Sequence, residues 1–284
     1  MSVTIVIVTF HSEATLPACL DSLPRDADVV VVDNASDDRS AAIAEAAGAF
    51  VIRNVENRGF AAGANQGARH GSGDMVLFLN PDAALADGCI VRMAAALEAE
   101  PGLAVVGPAA IDSPDGPLRG LWPFPSASRT WVNELGLRRL TRPRESSQGF
   151  VVGTCMLVRR AWFERLGGFD ERFWLYGEDA DFCRRALALG GRSATVNGAG
   201  ISHIGGHSSK QLASSFEHFH RGAELFIASH SGRLALASHR CAVLYGALIR
   251  STLFAPFDRT RSGWFFRLAK REAGLLVRSP LAVE

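Results

Sequence analysis

Three acidic side chains lie close together between residues 177 and 185, and they are the strongest chemical signal in this sequence. Glu178, Asp179 and Asp181 stand within four residues at the predicted start of a helix. Carboxylates at a helix N-terminus gain roughly a few tenths of a kcal/mol from the helix dipole. Carboxylates this close also raise one another's pKa toward values that suit a general base. We therefore predict that the segment takes a proton from a substrate, with helix stabilisation as the alternative.

Polar residues also end four apolar runs in the first part of the chain, at Thr9, 33–36, 54–59 and 80–82. In open α/β sheets ligands bind at the carboxyl ends of the strands, so these positions are candidates for one binding site. Asp33 and its neighbours also suit a turn and a helix cap. Residues 80–82 read Asn-Pro-Asp, which is an ordinary turn and equally a source of oxygen ligands for a hard cation bound to a diphosphate.

Two aromatic residues and a histidine are further candidates. Trp174 and Tyr176 precede the acidic segment, where they suit either stacking on a sugar ring or packing in the core. His203 ends the last predicted strand. A lone histidine is more often structural, but Gly205 and Gly206 follow it and would let a ligand approach the backbone closely.

Alternating apolar and helical patterns predict that βαβ units position these residues. Strands are expected at 3–10, 29–33, 50–53, 75–79, 103–111, 150–159 and 196–204. Helices are expected at 13–23, 36–47, 61–70, 88–100, 161–166 and 179–189. Glycines at every fourth position, Gly59, Gly63 and Gly67, predict one helix face packed on the sheet. Prolines between residues 114 and 143 predict a long irregular stretch beside a binding site.

Composition excludes several classes of protein. The chain has 284 residues, 48% of them hydrophobic, and a net charge of +1, which gives no reason to expect a nucleic-acid partner. Five scattered cysteines without a CxxC pattern argue against a disulfide framework and a structural zinc site, and favour a reducing cytosol. We predict neither a secretion signal nor a membrane-spanning segment. Dinucleotide, P-loop and α/β-hydrolase motifs are missing from the sequence.

Five segments together resemble the family 2 glycosyltransferases of GT-A fold, particularly the rhamnosyltransferase-like bacterial branch that builds cell-surface polysaccharide. They are Val-Thr-Phe (8–10), Val-Asp-Asn-Ala-Ser (32–36), Asn-Arg-Gly-Phe-Ala-Ala-Gly-Ala-Asn (57–65), Leu-Asn-Pro-Asp (79–82) and Gly-Glu-Asp-Ala-Asp-Phe-Cys-Arg-Arg (177–185). The resemblance covers about residues 2–207 in order. It implies an α/β fold with a mainly parallel mixed sheet between helices, and inverting transfer of a sugar from a nucleotide diphosphate with Mg²⁺ or Mn²⁺.

The resemblance also implies roles for particular residues. Asp33 falls where the family contacts the pyrimidine base, Asp82 where it binds the metal, His203 where a histidine completes that site, and Asp179 where it places the general base. Further donor contacts are expected from Thr9, Arg58, Asn65 and Asn80, and acceptor or sugar contacts from Trp174 and Glu178. Many relatives have Asp-x-Asp where this chain has Asn80-Pro81-Asp82, a form that is common in the rhamnosyltransferase-like branch.

We therefore expect a catalytic domain over residues 1–210 and a helical extension over residues 211–284. The leading donor is dTDP-rhamnose, with UDP-sugars as the close alternative, and the acceptor is lipid-linked or a polysaccharide. Competing hypotheses are a nucleotidyltransferase, which would normally carry a Gly-rich basic loop after the first strand, and a sugar-nucleotide-binding protein without catalysis. A cytoplasmic protein is expected, either free or held at the inner face of the membrane.

The extension has its own charge pattern. From residue 240 onward it carries eight Lys and Arg residues against three acids, interleaved with leucine and aromatic residues. This pattern is typical of helices that lie in a membrane interface. The alternative is that the apolar face packs on the catalytic domain or forms a homodimer contact.

Overall fold

The structure is a computed structural model that describes residues 2–112, 118–119, 121–137, 148–203 and 212–278. It contains two compact units, one formed by Met1–Phe124 and Glu145–Phe216 and the other by Pro125–Arg144 and Glu217–Glu284. The sequence did not lead us to expect that residues 125–144 group with the C-terminal helices.

Apolar, β-branched runs form one half of the sheet in the first unit. The strands are β1 (Val3–Thr9), β2 (Asp28–Asp33), β3 (Phe50–Arg53) and β4 (Met75–Leu79). They pair in parallel in the order β3-β2-β1-β4. Every residue of β4 is buried, as expected for a strand covered on both faces. The four predicted strands are confirmed to within one residue at each end.

Helices join these strands, as the alternating pattern predicted. They are α1 (Leu16–Asp21), α2 (Ser40–Ala46), α3 (Phe60–His70) and α4 (Cys89–Ala99). A Cβ atom added to Gly67 would lie 2.5 Å from Val6, and one added to Gly63 would lie 2.9 Å from Val8, so both glycines allow α3 to pack closely on β1. The expectation was wrong for Gly59, which precedes α3 and lies against Trp174.

The other half of the sheet mixes the two strand directions. Its strands are β5 (Ala83–Leu85), β6 (Leu103–Asp112), β7 (Leu118–Arg119), β8 (Cys155–Arg159) and β9 (Arg192–His203), with helices α6 (Arg160–Arg165) and α7 (Glu178–Ala188). The order continues β4-β8-β6-β9-β5, with β7 on β6. Strand β8 runs antiparallel to both of its neighbours, whereas β6 and β9 are parallel. The α/β class with a mixed sheet between helices is confirmed.

Two expectations in this half were wrong. The strand predicted at 150–159 begins only at Cys155, because residues 152–155 form a turn closed by a hydrogen bond from Cys155 N–H to Val152 O. The strand predicted from residue 196 begins at Arg192. Its expected last residue, Ile204, lies outside the described residues, as do Gly205 and Gly206.

The second unit is helical. Helix α5 (Ala127–Glu134) lies in the stretch that we predicted to be irregular, and Ser126 caps it by accepting a hydrogen bond from Arg129 N–H. The other helices are α8 (Leu212–Ser231), α9 (Arg233–Phe254) and α10 (Arg259–Arg278). Trp131 of α5 donates a hydrogen bond of 3.1 Å to Ser238 of α9. Helices in the C-terminal part were predicted and are confirmed.

Buried ion pairs join three helices of this unit. Arg240 of α9 is fully buried and bonds Glu224 of α8 at 2.9 Å. Arg271 of α10 reaches the other oxygen of Glu224 at 3.0 Å. Burial raises the pKa of the adjacent Glu272 to about 7. Arg240 and Arg271, which we had counted toward a basic surface, are therefore used inside the unit.

Neither a membrane-crossing helix nor a disulfide is found in the described part of the chain. None of the helices there combines the length and the apolar character that crossing a bilayer requires. All five cysteines lie in the described ranges and are free thiols, four of them buried and Cys241 exposed.

Candidate active site

The ends of β1 and β2 place two polar side chains side by side. Thr9 and Asp33 are register partners, and the Thr9 hydroxyl donates a hydrogen bond of 3.0 Å to Asp33 Oδ1. Ser36 also donates to Asp33, from its backbone N–H and from its hydroxyl. These bonds hold the buried Asp33 carboxylate in one orientation. The turn chemistry that we weighed as the alternative is therefore present at Asp33, at the same sheet edge that open α/β folds use for ligands.

Backbone strain is concentrated around the candidate residues. In the described part of the chain three non-glycine residues have left-handed backbone angles: His11 (φ 53°), Ala35 (φ 62°) and Tyr176 (φ 69°). His11 follows the end of β1, Ala35 follows Asp33 and its neighbour, and Tyr176 lies just before α7. Each such residue costs roughly 1–3 kcal/mol, and such strain is often found at functional sites. Sequence alone gave no signal for it.

Asp82 and His203 are neighbours although they are far apart in the sequence. Strand β5 pairs with β9 so that Ala83 faces His203, and His203 Nε2 lies 3.2 Å from Asp82 Oδ1. The hydrogen bond to Asp82 raises the pKa of His203. The structure thus brings together the two residues that the family resemblance assigned to a metal.

This pair fits a divalent cation as two adjacent ligands. A carboxylate oxygen and an imidazole nitrogen are accepted by Mn²⁺, and carboxylates also suit Mg²⁺. Within the described ranges no group of three or more His, Cys, Asp or Glu side chains is arranged to hold a metal. The described residues would therefore supply Asp82 and His203 as ligands, and a bound diphosphate and water would add to the coordination.

Asp179 is the second residue of α7, and its side chain is buried. Gly153 N–H donates a hydrogen bond of 2.8 Å to Asp179 Oδ2, and Ala180 N–H donates one of 2.7 Å to Asp179 Oδ1. Burial raises the pKa of Asp179 to about 6, and the backbone hydrogen bonds oppose that rise. We had expected like-charge crowding to raise the pKa of Asp179, but the cause of the rise is burial.

Glu178 is also buried, and its carboxyl group stays protonated more readily than a normal glutamate. Burial, followed by the charge of Asp179, raises the pKa of Glu178 well above its usual value. Among the described residues Glu178 Oε2 has no hydrogen-bond partner. Burial and the charge of Asp179 thus favour the protonated form of Glu178, and Glu178 Oε2 is available for a ligand.

Consecutive residues connect Asp179 to the Asn80–Asp82 turn. Gly153 N–H bonds the Asp179 carboxylate, and the next residue, Thr154, accepts a hydrogen bond of 3.0 Å from Asn80 N–H through its carbonyl. The base candidate and the metal candidate are thus held by adjacent residues of one turn. We did not single out Gly153 or Thr154 from the sequence, because a contact between distant segments leaves no local pattern.

The third acid of the cluster, Asp181, has a structural partner. Arg185, one helical turn later, bonds Asp181 Oδ2 at 2.7 Å. Its other guanidinium nitrogens donate to the carbonyls of Leu166 and Gly168, each at 2.9 Å. Asp181 therefore orients an arginine that fastens the loop after α6 to α7.

Asn65 holds the next part of that loop. Its side-chain amide bonds Phe169 twice, donating to the carbonyl at 2.9 Å and accepting from the N–H at 2.8 Å. It also donates to Glu171 at 3.1 Å, and Glu171 lies 3.8 Å from Arg58. An exposed pair of this kind contributes roughly 0–1 kcal/mol, so Arg58 can leave Glu171 for a ligand at little cost. The contacts of Asn65 indicate a positioning role.

Trp174 is anchored through its backbone and packs on a glycine. Phe60 N–H donates a hydrogen bond of 2.7 Å to Trp174 O. A Cβ atom at Gly59 would lie 2.7 Å from the Trp174 indole, and Gly59 has φ +82°, so both space and backbone conformation favour glycine there. Trp174 and Tyr176 each expose about 40% of their surface. Neither ring is simply core, which favours the sugar-binding alternative for both.

Models of two known protein families match parts of this chain. The model of the family described as "Glycosyl transferase family 2" matches residues 4–167, more than half of the chain. This chain belongs to glycosyl transferase family 2. A second model, "N-terminal domain of galactosyltransferase", matches residues 138–208.

Individual relatives are about 30% identical to this chain over the aligned residues. The chain is 29% identical, over 80% of its length and 85% of the relative, to N-acetylglucosaminyl-diphospho-decaprenol L-rhamnosyltransferase of Mycobacterium tuberculosis. It is 32% identical over 91 residues, 30% of the chain and 34% of the relative, to rhamnosyltransferase WbbL of Escherichia coli.

Solved structures support the GT-A fold. The mannosyltransferase PcManGT from Pyrobaculum calidifontis, in complex with GDP-Man and Mn²⁺, gives a TM-score of 0.60 at 18% identity, over 98% of this chain and 81% of that one. Glucosyl-3-phosphoglycerate synthase from Mycobacterium tuberculosis, with Mg²⁺ and UDP, gives 0.55 at 18% identity over 78% and 77%. At these identities the likeness establishes the fold alone, and the GT-A fold expected from the sequence is confirmed.

Proposed function

We propose that this family 2 protein is a metal-dependent, inverting glycosyltransferase that moves a sugar from a nucleotide diphosphate to a hydroxyl of a lipid-linked acceptor. The leading donor is dTDP-rhamnose and the leading acceptor is a prenyl diphosphate carrying N-acetylglucosamine, because a relative that aligns over most of the chain is named for that transfer. A UDP-sugar as donor and a polysaccharide as acceptor are the alternatives within the same chemistry.

The link through Gly153 and Thr154 carries this proposal. Gly153 bonds the buried carboxylate of Asp179, whose pKa is about 6. The adjacent Thr154 bonds Asn80, in the turn that leads to Asp82 and its neighbour His203. Inverting transfer needs a proton acceptor on one side of the anomeric carbon and charge neutralisation at the leaving diphosphate on the other. Asp179 and the Asp82–His203 pair suit these two tasks.

Each proposed role follows from the side chain's surroundings. The oxygen of the acceptor hydroxyl bonds to the anomeric carbon while Asp179 accepts the hydroxyl proton. The bond from the anomeric carbon to the diphosphate oxygen breaks in the same step. Glu178, whose pKa is raised by burial, donates a hydrogen bond from its protonated carboxyl group to the acceptor or the sugar. A divalent cation at Asp82 and His203 would supply the counter-charge for the departing diphosphate.

A second group of residues binds the nucleotide-sugar donor. Asp33, fixed by Thr9, accepts a hydrogen bond from the pyrimidine base. Arg58 moves from Glu171 to the diphosphate, and Asn65 holds the Glu171 side chain from which Arg58 departs. Asn80, two residues before Asp82, would contact the donor. Trp174 stacks on a sugar ring. We assign the transferase domain to residues 1–210 and a C-terminal extension to residues 211–284.

Replacing Asp179 with asparagine tests the role of the base. We expect Asp179→Asn to keep donor affinity within a few-fold and to lower kcat by about 100-fold or more, the usual contribution of a positioned base. The control is Asp21→Asn, because Asp21 is exposed at the end of α1. Donor affinity is measured by calorimetry and kcat by release of the nucleoside diphosphate.

The pH profile provides a second readout. Because a base must be deprotonated to act, kcat/KM should fall about tenfold per pH unit below a pH of about 6, and this limb should be absent in Asp179→Asn. Near-normal turnover in the variant, or an unchanged acid limb, would exclude Asp179 as the base.

A further inference from the structure

The turn between α9 and α10 exposes apolar side chains that the helices themselves do not use. Phe257 is 88% exposed, Leu253 64% and Phe266 59%. Phe254 and Phe265, in contrast, stack on each other across the hairpin with ring centroids 5.8 Å apart. Phe254 and Phe265 thus pack against each other, whereas a second set of apolar side chains stays exposed. We call this exposed set the hairpin tip: Leu253, Pro256, Phe257 and Phe266.

The backbone of the hairpin tip is well braced. Ser251 and Ser262 exchange two hydrogen bonds, each from a hydroxyl to the other residue's carbonyl, at 3.2 and 2.8 Å. Asp258 N–H donates to Phe254 O at 2.7 Å, and the Asp258 carboxylate caps α10 by accepting from Arg261 N–H at 2.9 Å. The exposed side chains therefore project from a closed turn.

Exposed cationic residues follow Phe257 of the hairpin tip along the chain. Between residues 253 and 270 there are four cations, Arg259, Arg261, Arg267 and Lys270, all of them exposed, and one acid. That acid, Asp258, already caps α10 and lies 3.6 Å from Arg261. The surface next to the apolar side chains therefore keeps an excess of three positive charges.

The geometry points to the hairpin tip as a membrane-docking element that inserts Phe257 and Leu253 among the lipids while the arginines bind anionic headgroups. Apolar side chains ringed by arginine are the arrangement that interfacial anchors use. A second copy of the chain fits less well, because a two-fold contact through this turn would place like charges opposite one another. The benefit of docking for catalysis rests on the proposed lipid-linked acceptor. Binding of the chain to a membrane does not depend on that proposal.

Vesicle binding by the full chain tests this inference. Co-sedimentation is measured with phosphatidylcholine vesicles with and without phosphatidylglycerol, at low and high salt. We expect binding that requires phosphatidylglycerol and weakens with salt. Phe257→Ser should weaken it roughly tenfold through lost apolar burial, and Arg259→Glu with Arg267→Glu should weaken it at least as much, since each cation contributes about a fivefold factor.

Matched controls lie at the other end of α9. Leu234 is 83% exposed and Arg233 is its exposed neighbour, so Leu234→Ser and Arg233→Glu remove the same chemistry elsewhere on the helix and should bind as the unmodified chain does. Thermal unfolding confirms that each variant is folded. Turnover on a short-chain acceptor in detergent should be unchanged in the tip variants, which separates failure of docking from failure of the transferase.

Three results would overturn the inference. They are no binding of the unmodified chain to phosphatidylglycerol vesicles, equal binding by Phe257→Ser and Leu234→Ser, and a dimer of the unmodified chain that Phe257→Ser dissociates. The last of these would assign the hairpin tip to a second copy.

Discussion

At the scale of single residues, the same type of side chain does different work according to what surrounds it. Asp179 and Asp181 both lie in the first turn of α7. Asp179 is bonded by backbone N–H groups and has its pKa raised to about 6 by burial, whereas Asp181 is paired with Arg185. The sequence showed a cluster of acids, and it could not show which of them had an arginine partner.

Removal of the metal provides a test at this scale. We predict that a chelator abolishes activity, that Mg²⁺ or Mn²⁺ restores it, and that His203→Ala needs at least about tenfold more metal, because the variant lacks the imidazole ligand beside Asp82. The measurement is a titration of activity against metal concentration.

The control for this titration is His70→Ala, which removes a histidine that stacks on Phe50 at the end of α3. Full activity in excess chelator would contradict the metal site. A titration curve that His203→Ala leaves unchanged would contradict the part given to His203.

At the scale of elements, the sequence predicted the strands of the parallel half of the sheet better than those of the mixed half. Strands β1 to β4 are apolar runs between helices, and local pattern alone locates them. The turn before β8 was read as strand because its residues are apolar, and its role depends on a hydrogen bond to Asp179 from a distant segment. Helix α5 was hidden among prolines, where loop signals are strong.

The loop between α6 and α7 gives a prediction at this scale. Because Asn65 bonds both backbone groups of buried Phe169, we expect Asn65→Ala to lower the free energy of unfolding by about 2 kcal/mol. The acid limb of the pH profile should stay near pH 6, since Asp179 is untouched. Chemical denaturation and the pH profile measure the two effects.

Arg69→Ala is the matched control, because Arg69 is exposed one turn later on α3. A direct donor ligand would behave differently from a positioning residue. If Asn65→Ala raised the donor KM and left the free energy of unfolding unchanged, Asn65 would contact the donor itself.

At the scale of the whole chain, charge was easier to count than to place. The C-terminal part has an excess of positive charge in sequence, but Arg240 and Arg271 are used in buried pairs with Glu224. Four exposed cations, Arg259, Arg261, Arg267 and Lys270, instead follow the turn after α9. Counting residues cannot separate these two groups, because both carry the same spacing of charged and apolar positions.

The most direct test of the account is a transfer assay with the full chain, dTDP-rhamnose, the proposed lipid-linked acceptor and a divalent metal. Product mass, released nucleotide and anomeric configuration are measured together. We predict one sugar added per nucleoside diphosphate released, with inversion at the anomeric carbon, and UDP-sugars are tested in parallel. Retention of configuration or donor binding with no transfer from any donor would contradict it. So would conversion of dTDP-rhamnose and added pyrophosphate to dTTP and rhamnose 1-phosphate in a parallel reaction, as expected of a nucleotidyltransferase.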